Sequence, residues 1–217
     1  MIRNNKSQCQ CGNTSDPNGC CDGSHLNKIL KMKIGIFTII TLLITSTSIG
    51  QGLTLDTSSS KLKWTGKEIT SKQHYGSLVF KSGILTLEKN KPVSGKFIVD
   101  MKTLKNEDLP EDYRGRLEAH LKSDDFFSVD KFSEAILEIT NPVADSEKFK
   151  MEGFLTIKEI THAVTFTMTN TNNNWKANLS FDRSKYDVRF RSGTFFENLG
   201  DKLILDEIVI ETDLVFN

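Results

Sequence analysis

Thr161-His162-Ala163-Val164-Thr165-Phe166-Thr167-Met168-Thr169 decides the fold class of this chain. Val164, Phe166 and Met168 alternate with Thr161, Thr165, Thr167 and Thr169. A period of two places the apolar side chains on one face of a strand and the threonines on the other. The same alternation recurs at the C-terminal end, where Ile208, Ile210, Thr212, Leu214 and Phe216 share one side against Glu207, Glu211 and Asp213. Asn178–Asp182, Leu62-Lys63-Trp64 and Ala135–Ile139 repeat it. One apolar and one solvated face is the pattern of antiparallel sheet.

Turn residues divide these runs. Lys81-Ser82-Gly83 separates Ser77–Phe80 from Ile84–Leu87 and reads as a hairpin. Lys89-Asn90-Lys91-Pro92 leads into Val93–Met101, and Asn170-Thr171-Asn172-Asn173-Asn174 separates two further runs. The spacing predicts about ten short strands, near 61–69, 75–81, 83–88, 93–102, 134–141, 148–157, 161–170, 174–182, 185–191 and 203–216. Such a series predicts an all-β sandwich or barrel. One segment departs from it. Leu109, Tyr113, Leu117 and Leu121 recur every fourth residue, with Glu107, Asp108, Glu111 and Asp112 in the early turns. This predicts one short amphipathic helix across an end or flank of the sheet, interrupted near Pro110 and Gly115.

The first fifty residues are a different kind of sequence. Lys33 precedes an apolar run from Ile34 to Ile44, and Ser48-Ile49-Gly50 offers small residues for a signal peptidase. Eleven helical residues span about 16 Å, half of a bilayer core, so a cleavable signal over 32–50 is expected rather than a membrane anchor. Cleavage before Gln51 leaves 167 residues without cysteine, carrying 23 basic and 26 acidic residues. A thiol-free product suits an oxidising compartment, so the expected location is periplasmic or secreted, with no integral span after cleavage. The charge balance of the whole chain, 28 against 28, excludes a dedicated nucleic-acid binder.

Upstream lies Cys9-Gln10-Cys11, followed by Cys20-Cys21-Asp22-Gly23-Ser24-His25. Three thiolates and one imidazole can hold a soft metal or an iron–sulfur pair. The segment resembles the CDGSH iron–sulfur family, which implies Cys9, Cys11, Cys21 and His25 as ligands of a [2Fe–2S] cluster. It departs from that pattern by one extra residue between the second and third ligands. Residues 1–31 have little apolar content from which to build a core, and a signal peptide ordinarily starts near the initiator. Translation from Met32 is therefore expected, with 1–31 an extension, and a metal-binding head is the alternative.

Within 51–217 catalytic chemistry is sparse. There is no Cys, no Gly-x-Ser-x-Gly elbow and no phosphate-binding glycine loop, and His74, His120 and His162 stand apart in sequence. Each is expected to be structural or exposed. Arg183, Lys185, Arg189 and Arg191 would share one side of a strand as a solvated basic ladder. The aromatic load stands out, because 13 of 14 Phe lie after residue 50, together with Trp64 and Trp175. An eight-stranded barrel has an interior just wide enough to be filled by side chains or to hold one small ligand.

Several segments, in order, carry a family resemblance. They are Trp64-Thr65-Gly66, His74-Tyr75-Gly76 and Gly95-Lys96-Phe97-Ile98-Val99-Asp100-Met101. His120-Leu121-Lys122-Ser123-Asp124-Asp125-Phe126-Phe127 and Gly153-Phe154-Leu155-Thr156-Ile157-Lys158 follow. The last are Asp182-Arg183-Ser184-Lys185-Tyr186-Asp187 and Ser192-Gly193-Thr194-Phe195-Phe196. The stretch 62–217 resembles the YceI-like family of exported bacterial proteins. Glu159 stands where that family usually has Gly, and Ser133 where a Pro often occurs. The resemblance implies an antiparallel lipocalin-like barrel over 51–217 that binds, and does not transform, an isoprenoid-type or other long amphipathic lipid. Carried over by position, it implies a lining of Trp64, Phe80, Phe97, Leu121, Phe126, Phe127, Leu155, Phe166 and Phe195. No cofactor is expected in this domain, and a homodimer stays open because no pattern encodes oligomeric state. An enzyme acting on a quinone or lipid in the same pocket, and a barrel packed shut without ligand, are the alternatives.

Overall fold

A computed structural model of the chain describes residues 50–144 and 148–217. The expected extension 1–31, the signal segment and the ligand set Cys9, Cys11, Cys21 and His25 lie outside the described residues.

Three hairpins set the register of the sheet. Strand β3 (Gln73–Glu88) returns as β4 (Lys91–Asn106) through Lys89-Asn90; β6 (Lys148–Ile157) returns as β7 (Ile160–Thr171) through Lys158-Glu159. The third, Asn172-Asn173, joins β7 to β8 (Asn174–Asp182). In each pair both central residues have positive φ, between 50° and 64°. Two left-handed residues make the turn whose twist matches the flanking strands. Strand β1 (Gln51–Thr54), β2 (Lys61–Glu68), β5 (Glu134–Ala144) and β9 (Ile204–Leu214) complete the set. The antiparallel order β3-β2-β9-β8-β7-β6-β5-β4 returns to β3, so eight strands close a barrel. Strand β1 extends it by pairing with Ile84–Leu87, beyond the reach of β2. The result is an all-β, lipocalin-like antiparallel barrel with, among the described residues, a single α-helix; the alternation predicts a sandwich or barrel, and the family resemblance implies this form of it.

Two segments differ from their sequence reading. Lys81-Ser82-Gly83 is not a hairpin: β3 runs straight through it for 16 residues, with a register shift against β4 between Phe80 and Ser82. Gly83 is there for room, not for turning. A Cβ at that position would stand 2.8 Å from the Phe97 ring and 2.9 Å from Leu55. The segment 185–191 is not a strand either. Arg183–Tyr186 forms a 3-10 turn, capped by the Asp182 carboxylate accepting from Ser184 N–H at 2.9 Å, and it ends at a left-handed Asp187. Lys158 Nζ donates to the Asp187 carbonyl at 2.7 Å and ties this turn to the β6–β7 hairpin.

The basic ladder expected there dissolves accordingly. Arg183 is wholly buried and donates to the carbonyls of Val188, Ile204 and Leu205, 3.2–3.4 Å away. Arg189 pairs with Asp187, while the Arg191 guanidinium lies 5.0 Å from the centroid of the Phe190 ring.

The helix α1 (Glu111–Lys122) starts after Pro110 and runs through Gly115 without a break. Proline ahead of the first turn forfeits no intrahelical hydrogen bond. A four-residue repeat drifts by about 40° per step on a 3.6-residue helix, so the leucine–tyrosine stripe winds around α1. Tyr113 is consequently exposed, Leu117 half-buried and Leu121 buried. Only the C-terminal half of the helix faces the barrel.

Candidate functional site: a capped apolar chamber

The strand register sorts the interior residues into two ends. At the end formed by β1, the β3–β4 hairpin and the β7–β8 hairpin, Phe149 stacks on Trp175 at 5.9 Å, and Phe216 sits edge-on to both Trp175 and Phe97. These rings plug that end. At the other, α1 and the loops around Phe126 and Phe190 cover the barrel, and between the two lies a cavity of about 280 Å3. Burial of this kind is typical of ligand chambers: apolar walls with a few polar groups that fix orientation.

Eight of the nine residues named from the sequence stand in that wall: Trp64, Phe80, Phe97, Leu121, Phe126, Phe127, Leu155 and Phe166. Each is buried. Their convergence follows from register, since inward positions on neighbouring strands meet at one level; Phe166 faces its partner Met151 across β6 and β7. Trp64 is held further by its indole N–H, which donates to the Lys105 carbonyl at 3.1 Å. Phe195 is the exception. It is 39% exposed and lies against Arg189, with the guanidinium 5.0 Å from its ring. The turns of Ser192–Phe196 carry it outside, so the expectation that it lines the interior does not hold.

Six wall residues are polar: Lys67, Glu68, His74, His120, Arg191 and Thr212. All but Thr212 belong to the α1 end, and Thr212 is satisfied by Ala177, whose backbone N–H donates to its hydroxyl at 3.2 Å. His74 is tied down as well, with Nδ1 2.8 Å from Asp108 Oδ2. Burial pushes the Asp108 carboxyl up. The hydrogen bonds from Tyr75 N–H, His74 and Asn106 outweigh that and hold it below its ordinary 3.8. Asn106, almost fully buried, donates its backbone N–H to the Glu118 carboxylate of α1 at 2.8 Å, so one network fixes helix, β3 and β4 together. Gly76 allows it: a Cβ there would lie 1.9 Å from the Lys105 carbonyl oxygen.

The histidines are therefore not equivalent. His162 Nε2 lies 3.0 Å from the Lys185 carbonyl, outside the chamber. His120, expected to be structural or exposed, has its ring in the chamber wall. Its place was available from spacing alone, because Leu117, His120 and Leu121 are i, i+3 and i+4 on one helix face. Phe190 and Arg191 had no such signal, since loop geometry brings them in, and Lys67 sits on β2 where its register against β9 shifts between Gly66 and Glu68. Among the described residues no three or more His, Cys, Asp or Glu side chains group as a metal site, and no helix is long and apolar enough to cross a membrane.

The fold agrees with the comparisons to known proteins. No curated protein is significantly similar to the chain. Among solved structures, Burkholderia cenocepacia BcnA matches with a TM-score of 0.55 and 19% identity, over 74% of this chain and 98% of the other. A domain of Saccharophagus degradans described as polyisoprenoid-binding and implicated in plant cell wall breakdown matches with a TM-score of 0.50 and 10% identity, over 76% and 97%. At those identities the likeness is one of fold. The family model of the YceI-like domain matches residues 53–216, from β1 to the bridge that Phe216 makes with Leu55. The chain belongs to the YceI-like domain family.

Proposed function

We propose that this protein sequesters or carries a long amphipathic lipid of the isoprenoid type in the barrel interior, after export to the periplasm or the cell exterior. The observation that carries the reading is the apolar chamber closed by aromatic rings at one end and by α1 at the other. A guest with an apolar tail gains about 0.8 kcal/mol per buried CH2, which makes tail length the main source of affinity. The relative from Saccharophagus degradans, described as polyisoprenoid-binding, supports the ligand class. Export rests on the apolar run and small-residue site at 32–50.

The test is Phe166→Asp. Phe166 is 5% exposed and faces the chamber, so a carboxylate there faces apolar carbon and a tail that cannot solvate it. Binding of a C20 isoprenoid alcohol, followed by the emission of Trp64 in the wall, is expected to fall more than tenfold while the far-ultraviolet spectrum stays that of a barrel. Wild-type binding by a folded variant would overturn the reading.

A further inference from the structure

The chamber has a floor. Met168, Ala177, Thr212 and Leu62 are successive register partners across β7, β8, β9 and β2, and all four belong to the wall. Beyond them the barrel is filled by side chains. Phe149, the partner of Met168 on β6, and Trp175, the next inward residue on β8, are 9% and 2% exposed. They stack on each other at 5.9 Å and take no part in the wall. Phe216 packs edge-on to Trp175 at 6.5 Å and to Phe97 of the wall at 6.4 Å, which ties the plug to the chamber above it. Ala177 is the smallest side chain of the floor, and its one polar member, Thr212, is already bonded to Ala177. The opposite end is open and polar, because Lys67 and Arg191 belong to the wall and are also exposed. A guest therefore enters tail first.

The enclosed space is about 280 Å3. A protein cavity of about 150 Å3 accommodates benzene, so on that scale the chamber takes about eleven carbons. We infer that the barrel encloses only the last two isoprene units of the guest's tail, and that Ala177 and the Phe149–Trp175 plug fix this length. This rests on the lipid-carrying reading and adds a length limit to it. Any further unit of a longer chain stays outside the open end, in water before and after binding, and adds nothing to affinity. A unit that enters the chamber is worth more than about a hundredfold.

The experiment measures by calorimetry the affinities of the C5, C10 and C15 isoprenoid alcohols for wild type, Ala177→Leu and Trp175→Ala. Wild type is expected to gain more than about a hundredfold from C5 to C10 and less than about tenfold from C10 to C15. Ala177→Leu sets three more carbons on the floor and is expected to lower the C10-to-C5 ratio at least about tenfold. Trp175→Ala empties space behind the floor and is expected to raise the C15-to-C10 ratio by a similar factor. Loss of a buried ring is destabilising, so Ala177→Leu, with Ala177→Val as its milder form, decides alone where Trp175→Ala does not fold. A wild type that gains as much from C10 to C15 as from C5 to C10, or a folded variant with an unchanged ratio, overturns the length limit and leaves the carrier reading standing. Failure of the wild type to bind any of the three alcohols overturns the carrier reading and the limit with it.

Discussion

Replacing Arg183 with Met keeps the length of the side chain and removes its charge. Arg183 has no solvent exposure, supplies the hydrogen bonds of three carbonyls and stands 3.2 Å from Asp206. Its guanidinium also sits 5.2 Å from the centroid of Phe126, a wall residue of the chamber. Burial lowers its pKa, Asp206 and Asp182 oppose the shift, and the guanidinium stays charged. Met at 183 leaves the three carbonyls unpaired and Asp206 without its countercharge. Removing one partner of a buried pair costs about 3–5 kcal/mol, a large part of the 5–15 kcal/mol that typically holds a domain together. With a urea slope near 2 kcal/mol per M, the unfolding midpoint should fall by about 2 M. Asp206→Asn alone should cost less, since Ser192 and Thr194 hydroxyls still reach its side chain. The double variant Arg183→Met/Asp206→Asn should fall short of the summed losses by about 1–3 kcal/mol, because no uncompensated carboxylate remains. A midpoint shift below about 0.5 M for Arg183→Met would refute this account of how the 183–191 segment is held.

Two further outcomes follow from the same geometry. Asp108 has its pKa depressed in the folded state, so its contribution is present above the ordinary 3.8 and is lost as pH falls through the folded value. Asp108→Asn should therefore melt below wild type at neutral pH and converge with it in acid; a constant gap across that range would contradict the network. Glu159 is exposed, with φ at +62°. Gly relieves about 1 kcal/mol of left-handed strain against a smaller entropic loss in the unfolded chain, so Glu159→Gly should raise Tm by about 1–2 °C. A lowered Tm would mean that the side chain supports the hairpin.

How far the sequence could be read depended on whether a residue's environment repeats. From Ile160 to Met168 on β7 the inside and outside alternate, and Phe166 and Met168 there, with Ile208 and Leu214 on β9, could be assigned to the interior by parity. Parity fails where a bulge inserts a residue. Lys81-Ser82-Gly83 has the composition of a turn, yet its glycine answers to Phe97 and Leu55 on neighbouring strands, which no local window contains. Arg183, Lys185, Arg189 and Arg191 mimic a strand's period, whereas the burial of Arg183 against three carbonyls is a tertiary event. Phe195 failed for the same reason, because position within a motif says nothing of direction once the backbone leaves the sheet. His120 was missed although its spacing from Leu117 carried the signal, since a lone histidine is ordinarily assigned to packing or solvent.

The central claim, an interior that holds a lipid, is tested most directly by the mass of the protein exported from a bacterial host, measured natively and again after solvent extraction. The account predicts a one-to-one adduct on a chain beginning at Gln51, with an extracted mass that fits a long-chain isoprenoid or quinone. A bare protein mass, with no adduct formed when such lipids are added in excess, would contradict it and identify the barrel as a packed one.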